Sequence, residues 1–204
     1  MQFLKKFFRF YIFSNIHVAL GTFCLVKITL LPYGVFENRT ALFVLFSTIT
    51  AYNFIRFYHI SEISNWFSEW LNINKKTLYI LTFFSLLLAI FLANFFQFKA
   101  LLCLFPFALC TLFYGLPFPF RNVPLRNISG IKLFLIAISF AGVTVLFPLV
   151  QNDMTINFNA WIVFIQRFLF IILITIPFDI RDLNIDKKSL KTLPQIVGLK
   201  KTKI

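Results

Sequence analysis

A chain of 204 residues that is 59% hydrophobic, only 13% charged and carries 31 phenylalanines lies far outside the composition of a soluble globular domain. The formal charge of +13 does not by itself point to nucleic acid, because the basic residues have a topological explanation in a membrane protein. A lipid-embedded barrel is excluded as well: its strands are short and alternate apolar with polar, whereas the runs here are continuously apolar.

A hydrocarbon core about 30 Å thick takes roughly 20 apolar residues of helix. The sequence predicts six such spans, near 10–31, 40–58, 77–96, 98–117, 131–150 and 160–178. Met1 to Arg9 precede an apolar stretch too long for a signal-peptide core, and no small-residue cleavage pattern closes it, so the first span is expected in the mature protein. A short loop, "PYGVFENR" at 32–39, leads to span two. Beyond it, 59–76 place Ile60, Ile63, Trp66, Phe67, Trp70 and Leu71 at helical spacing, with Ser and Glu between them. That pattern predicts a helix lying in the membrane interface, either a plain surface helix or a lid over a cavity.

Spans three and four join at a turn around Gln97 to Lys99, and Pro106, Pro117 and Pro119 interrupt or end span four, so that "YGLPFPFRN" reads as a helix unravelling. Pro148 and Pro177 sit near the ends of spans five and six, which are joined by the short loop "QNDMTINFN". Cys24, Cys103 and Cys110 lie inside spans without metal-ligand spacing and read as packing residues. Arg167, an intramembrane cation, is a functional candidate by default. The other reading is structural, capping an exposed carbonyl or pairing inside the bundle.

If the N-terminus is cytoplasmic, all but Lys27, Arg39, Lys99 and Arg167 of the 20 basic residues fall on the cytoplasmic side. The expectation is a multi-pass protein of the cell (inner) membrane with both ends in the cytoplasm. The longer, richer loops lie on that side, and any chemistry is expected there.

Three of the seven acidic residues, Asp179, Asp182 and Asp186, stand at i, i+3 and i+7 at the end of span six, one helical stripe about two turns long. Like charges at this spacing repel, and a helix C-terminus disfavours anions. Arg181 and Lys187 to Lys191 could neutralise a solvated loop; equally, a hard divalent cation such as Mg²⁺ prefers carboxylate oxygens.

The segments "PFDIRDLNID", "TLPQIVGLKKTK", "AYNFIRF" at 51–57 and "YGLPFPFRNVPLRNISGIKLF" at 114–134 together resemble the UbiA-type superfamily of intramembrane prenyltransferases. The resemblance implies a nine-helix bundle around a cavity open to the cytoplasm and to lipid, and hence three further spans beyond residue 204. It implies transfer of a polyprenyl group from its diphosphate to an aromatic or other lipophilic acceptor. Mg²⁺ would be held by two Asp-rich motifs, of which the second matches Asp179, Asp182 and Asp186 as catalytic and metal-binding residues. The first motif survives here only as Asn53, with Phe54, Phe57 and Ser61 at its Asp positions and Glu62 one position off the last. Arg56 shares a helical face with Asn53 and, with His59, is a candidate to meet diphosphate oxygens through a guanidinium fork; counting only towards topology is its other reading. Tyr114, Arg121 and Arg126 complete the implied diphosphate contacts. A relative that has kept the fold as a scaffold or isoprenoid-lipid-binding protein is the alternative. A transporter is disfavoured, because the charges collect at one interface rather than along the bilayer midplane.

Overall fold

The computed structural model describes residues 2–58, 65–117, 124–125, 128, 131–181, 183, 195–196 and 198. Helices α1 (Gln2–Phe13), α2 (Ile16–Leu30), α3 (Arg39–Tyr58), α4 (Asn65–Ala93), α5 (Phe98–Gly115), α6 (Ile131–Ala141), α7 (Phe147–Gln151) and α8 (Phe158–Arg181) account for nearly all of it. A 3-10 turn, Leu31–Tyr33, follows α2, and a π turn, Gly142–Leu146, joins α6 to α7. No strand occurs among the described residues. Among the described residues six helical segments are long and apolar enough to cross a membrane: Ile16–Tyr33, Arg39–Tyr58, Phe67–Ala93, Phe98–Gly115, Ile131–Gln151 and Phe158–Ile180. The chain is therefore an all-α, multi-pass helical bundle, as the apolar runs predict.

The first span differs from its predicted start at residue 10. Asn15 adopts the left-handed conformation, φ 64° and ψ 14°, and divides α1 from α2. Asn tolerates that region better than other residues with a Cβ. Residues 2–13 thus form a separate short helix, and residues 10–13 belong to it rather than to the head of the span. The second difference concerns 59–76: residues 59–64 lie outside the described residues, and from Asn65 the amphipathic stretch runs unbroken into span three as the single helix α4.

The chain divides into two compact units, Met1–Phe98 and Lys99–Ile204. In the first, α2 turns into α3 through a Schellman motif: Val35 N–H donates to the Leu30 carbonyl at 3.3 Å and Gly34 N–H to that of Leu31 at 3.0 Å. Gly34 has φ +69°, which glycine adopts without strain. The Glu37 carboxylate accepts from Arg39 N–H at 2.5 Å and the Thr40 hydroxyl at 2.5 Å at the start of α3, where the helix dipole favours an anion. Lys27 Nζ donates to the carbonyls of Phe36 and Glu37 at 2.8 and 3.0 Å. Further along, the Thr22 and Thr48 hydroxyls are 3.1 Å apart. On α4 the buried residues Leu71, Leu78, Ser85 and Ala89 form one stripe, while Phe83, Phe84, Leu87 and Phe91 are exposed, as lipid-facing side chains are.

The second unit is centred on the fifth span. Ala137, Ser139, Ala141, Gly142 and Thr144 are buried there, the small-residue composition that lets membrane helices approach closely. A Cβ on Gly142 would lie 2.2 Å from the Phe107 ring, so α5 packs against bare backbone. The π turn has a local cause. Pro148 has no N–H for the Thr144 carbonyl and its ring would press on that group, so the ladder shifts by one residue and Phe147 N–H bonds the Gly142 carbonyl. At the opposite end from Ile131, Lys99 Nζ pairs with Asp153, which takes the left-handed conformation after α7.

Candidate functional site

The second unit holds a buried charge pair. Asp179, two residues beyond Pro177 in α8, is 2% exposed, and its Oδ1 lies 3.0 Å from Lys132 Nζ near the start of α6. The contact is an ion pair without hydrogen-bond geometry. The two helices run past each other in opposite directions, so the last turn of one meets the first turn of the other. A carboxylate taken out of water needs an opposite charge or strong donors, and Lys132, 18% exposed at its side chain, provides the charge. Lys132 was legible in the sequence only as one of the basic residues on one side. What could have singled it out is that it begins one span at the end where Asp179 finishes the next.

Asp182 and Asp186 lie outside the described residues, as do Arg121, Arg126, His59, Ser61 and Glu62. The chemistry of the stripe suits Mg²⁺, because three carboxylates offer hard oxygen donors. Among the described residues no group of three His, Cys, Asp or Glu side chains comes together. At Asp179 itself, the Lys132 ammonium competes with any metal ion.

Asn53 and Arg56 belong to the first unit, where they are brought together with Asn15. Asn53, fully buried, accepts at Oδ1 from Asn15 Nδ2 at 2.9 Å, while its own Nδ2 has no hydrogen-bond partner among the described residues. Arg56 donates from Nη2 to Asn15 Oδ1 at 2.6 Å and from Nη1 to the Phe13 carbonyl. Its guanidinium carbon also sits 5.1 Å from the centre of the Phe67 ring. The fork therefore latches the elbow between α1 and α2: it satisfies a carbonyl at the end of α1 and holds the side chain of the left-handed Asn15. The Asn53–Arg56 face was legible as i, i+3 spacing; its partner Asn15, 38 residues from Asn53, was not.

Tyr114 is half-buried near the end of α5. Arg167, 7% exposed, donates from Nη1 to the Thr144 hydroxyl at 3.3 Å, and that hydroxyl donates to the Phe140 carbonyl at 2.6 Å. This gives Arg167 a structural contact inside the membrane at the π turn, as one of the two sequence readings has it. Cys24, Cys103 and Cys110 are free.

No protein-family model, curated protein or solved structure matches the chain.

Proposed function

We propose that this chain is a multi-pass membrane transferase of the UbiA type, moving a polyprenyl group from its diphosphate to a lipophilic acceptor. The observation that supports the reading is the buried Asp179 paired with Lys132; in the sequence Asp182 and Asp186 follow it at i+3 and i+7. Mg²⁺ bound by these three carboxylates would neutralise the leaving diphosphate. Lys132 stands ready to exchange Asp179 for phosphate oxygens, a charge-assisted contact of the same kind. Asn53, Arg56, Tyr114, Arg121 and Arg126 stay diphosphate-contact candidates on the resemblance alone; Arg56 is engaged by Asn15 and the Phe13 carbonyl. The N-terminus and the site lie on the cytoplasmic face of the inner membrane, on the strength of the basic asymmetry.

A second reading, an isoprenoid-lipid-binding scaffold without turnover, draws on a separate observation. The one residue kept from the first Asp-rich motif, Asn53, already uses its Oδ1 on Asn15, and Arg56 is engaged beside it. The two readings part on release of inorganic diphosphate from geranylgeranyl or farnesyl diphosphate by the purified chain, with lipophilic phenols offered as acceptors. Release that needs Mg²⁺ and is lost in Asp182→Asn supports the transferase. Mg²⁺-dependent binding with no release supports the scaffold.

A further inference from the structure

Helix α1, of which the sequence reading counted only residues 10–13 into the first span, has a surface of its own. Its 12 residues extend about 18 Å at 1.5 Å per residue, and the left-handed Asn15 sets it off from the span that follows. At 3.6 residues per turn, Lys5, Lys6 and Arg9 fall on one arc, and Phe3, Leu4, Phe7 and Phe8 on the opposite half with Ile12 at its border. The apolar half is open towards its N-terminal end, with Phe3 80% exposed, Leu4 62%, Phe7 62%, Phe8 55% and Ile12 44%, while Tyr11 on the same half is half-buried and meets the His17 ring at 6.0 Å. The three basic residues are exposed too, and the first acidic residue in the chain is Glu37.

Ring contacts near its C-terminal end fix the helix in place. Phe13 meets the rings of Phe67 and Trp70, each at 5.0 Å between centroids, and Phe10 meets Trp70 at 6.2 Å. Together with the Arg56 latch on the Phe13 carbonyl and the left-handed turn at Asn15, these contacts hold the C-terminal end of α1 against the first turns of α4. Its Phe3–Phe8 face is left for something else.

We infer that α1 is an in-plane anchor on the anionic leaflet of the membrane that the protein spans. The apolar half sinks to the boundary between headgroups and acyl chains, and Lys5, Lys6 and Arg9 pair with lipid phosphates. The occupant is lipid rather than a protein groove because the open face is backed by three exposed cations with no ion pair among the described residues, and because the next segment of the same chain enters the bilayer. A basic amphipathic helix binds such a surface through buried apolar area plus attraction to anionic lipid. Tethering at the elbow makes the docking intramolecular, so even a short helix remains at the surface.

The test uses the full chain with Cys24→Ser, Cys103→Ala and Cys110→Ala, carrying one nitroxide at Leu4→Cys or at Lys6→Cys. It is reconstituted in phosphatidylcholine vesicles with and without phosphatidylglycerol. With phosphatidylglycerol, the label at position 4 is shielded from a water-soluble nickel complex and reached by oxygen, and the label at position 6 shows the reverse. Removing the anionic lipid, or adding Lys5→Gln, Lys6→Gln and Arg9→Gln to the position 4 chain, raises nickel access several-fold, each lost charge shifting the docked population roughly fivefold. Three results would overturn the inference: equal nickel access at positions 4 and 6, indifference of position 4 to lipid charge, or spin–spin broadening showing a second copy over the face. If the charge-neutralised chain does not insert, the lipid comparison on the unaltered helix decides.

Discussion

Lys132 and Asp179 depend on each other. Lys132→Met takes from the buried Asp179 carboxylate the opposite charge it meets among the described residues and is expected to lower stability by about 3 kcal/mol, read as unfolding in detergent. Lys132→Met combined with Asp179→Leu should recover most of that loss, since replacing both members of a buried pair with apolar groups is often neutral or better. Arg56→Lys keeps the charge but not the fork, and a single ammonium cannot serve the Phe13 carbonyl and Asn15 Oδ1 with the same geometry. A loss of about 1 to 2 kcal/mol follows, and wild-type stability in Arg56→Lys would remove the latch from the account. At this scale the sequence reveals groups but not pairings. Asp179, Asn53, Arg56 and Arg167 all stand out as polar residues in greasy surroundings, while Lys132, Asn15 and Thr144 become their partners only once distant helices pack.

Two glycines in spans show how packing reverses a local rule. Gly21 in α2 has nothing within 4 Å of an added Cβ, so Gly21→Ala should raise stability by roughly 0.5 to 1 kcal/mol through the unfolded chain's lost freedom. Gly142→Ala drives a methyl into the Phe107 ring and should cost about 1 kcal/mol or more, because the ring has to move aside in a close-packed contact. Melting both variants in one detergent compares the signs directly. The elements themselves were readable from length and continuity of apolar sequence, which a bilayer enforces more strictly than water does. Their irregularities were not. The break at Ser14–Asn15 sits inside an apolar stretch, where a hydropathy window averages over it. The π turn follows from where the Pro148 ring falls relative to the Thr144 carbonyl, a matter of ladder register rather than composition.

For the molecule as a whole, the distribution of basic residues predicts sidedness. Cysteines introduced at Lys5 and Lys76 should react with a membrane-impermeant thiol reagent only from the cytoplasmic face, and those at Glu37 and Asp153 only from the opposite one. Labelling of Lys5→Cys and Glu37→Cys from the same face would break the topology. The six spans were legible because each run must satisfy its own backbone within the bilayer. The candidate site was legible only as a spacing of carboxylates, because spacing says nothing of what gathers round Asp179.

The most direct test of the proposed function is binding of geranylgeranyl diphosphate to the purified chain in nanodiscs, titrated with Mg²⁺ and then with EDTA, for wild type and Asp182→Asn. The proposal predicts binding that rises with Mg²⁺, reverses on chelation and is lost in Asp182→Asn while the variant keeps its wild-type melting behaviour. Binding of equal strength in EDTA, or undiminished in Asp182→Asn, would contradict it.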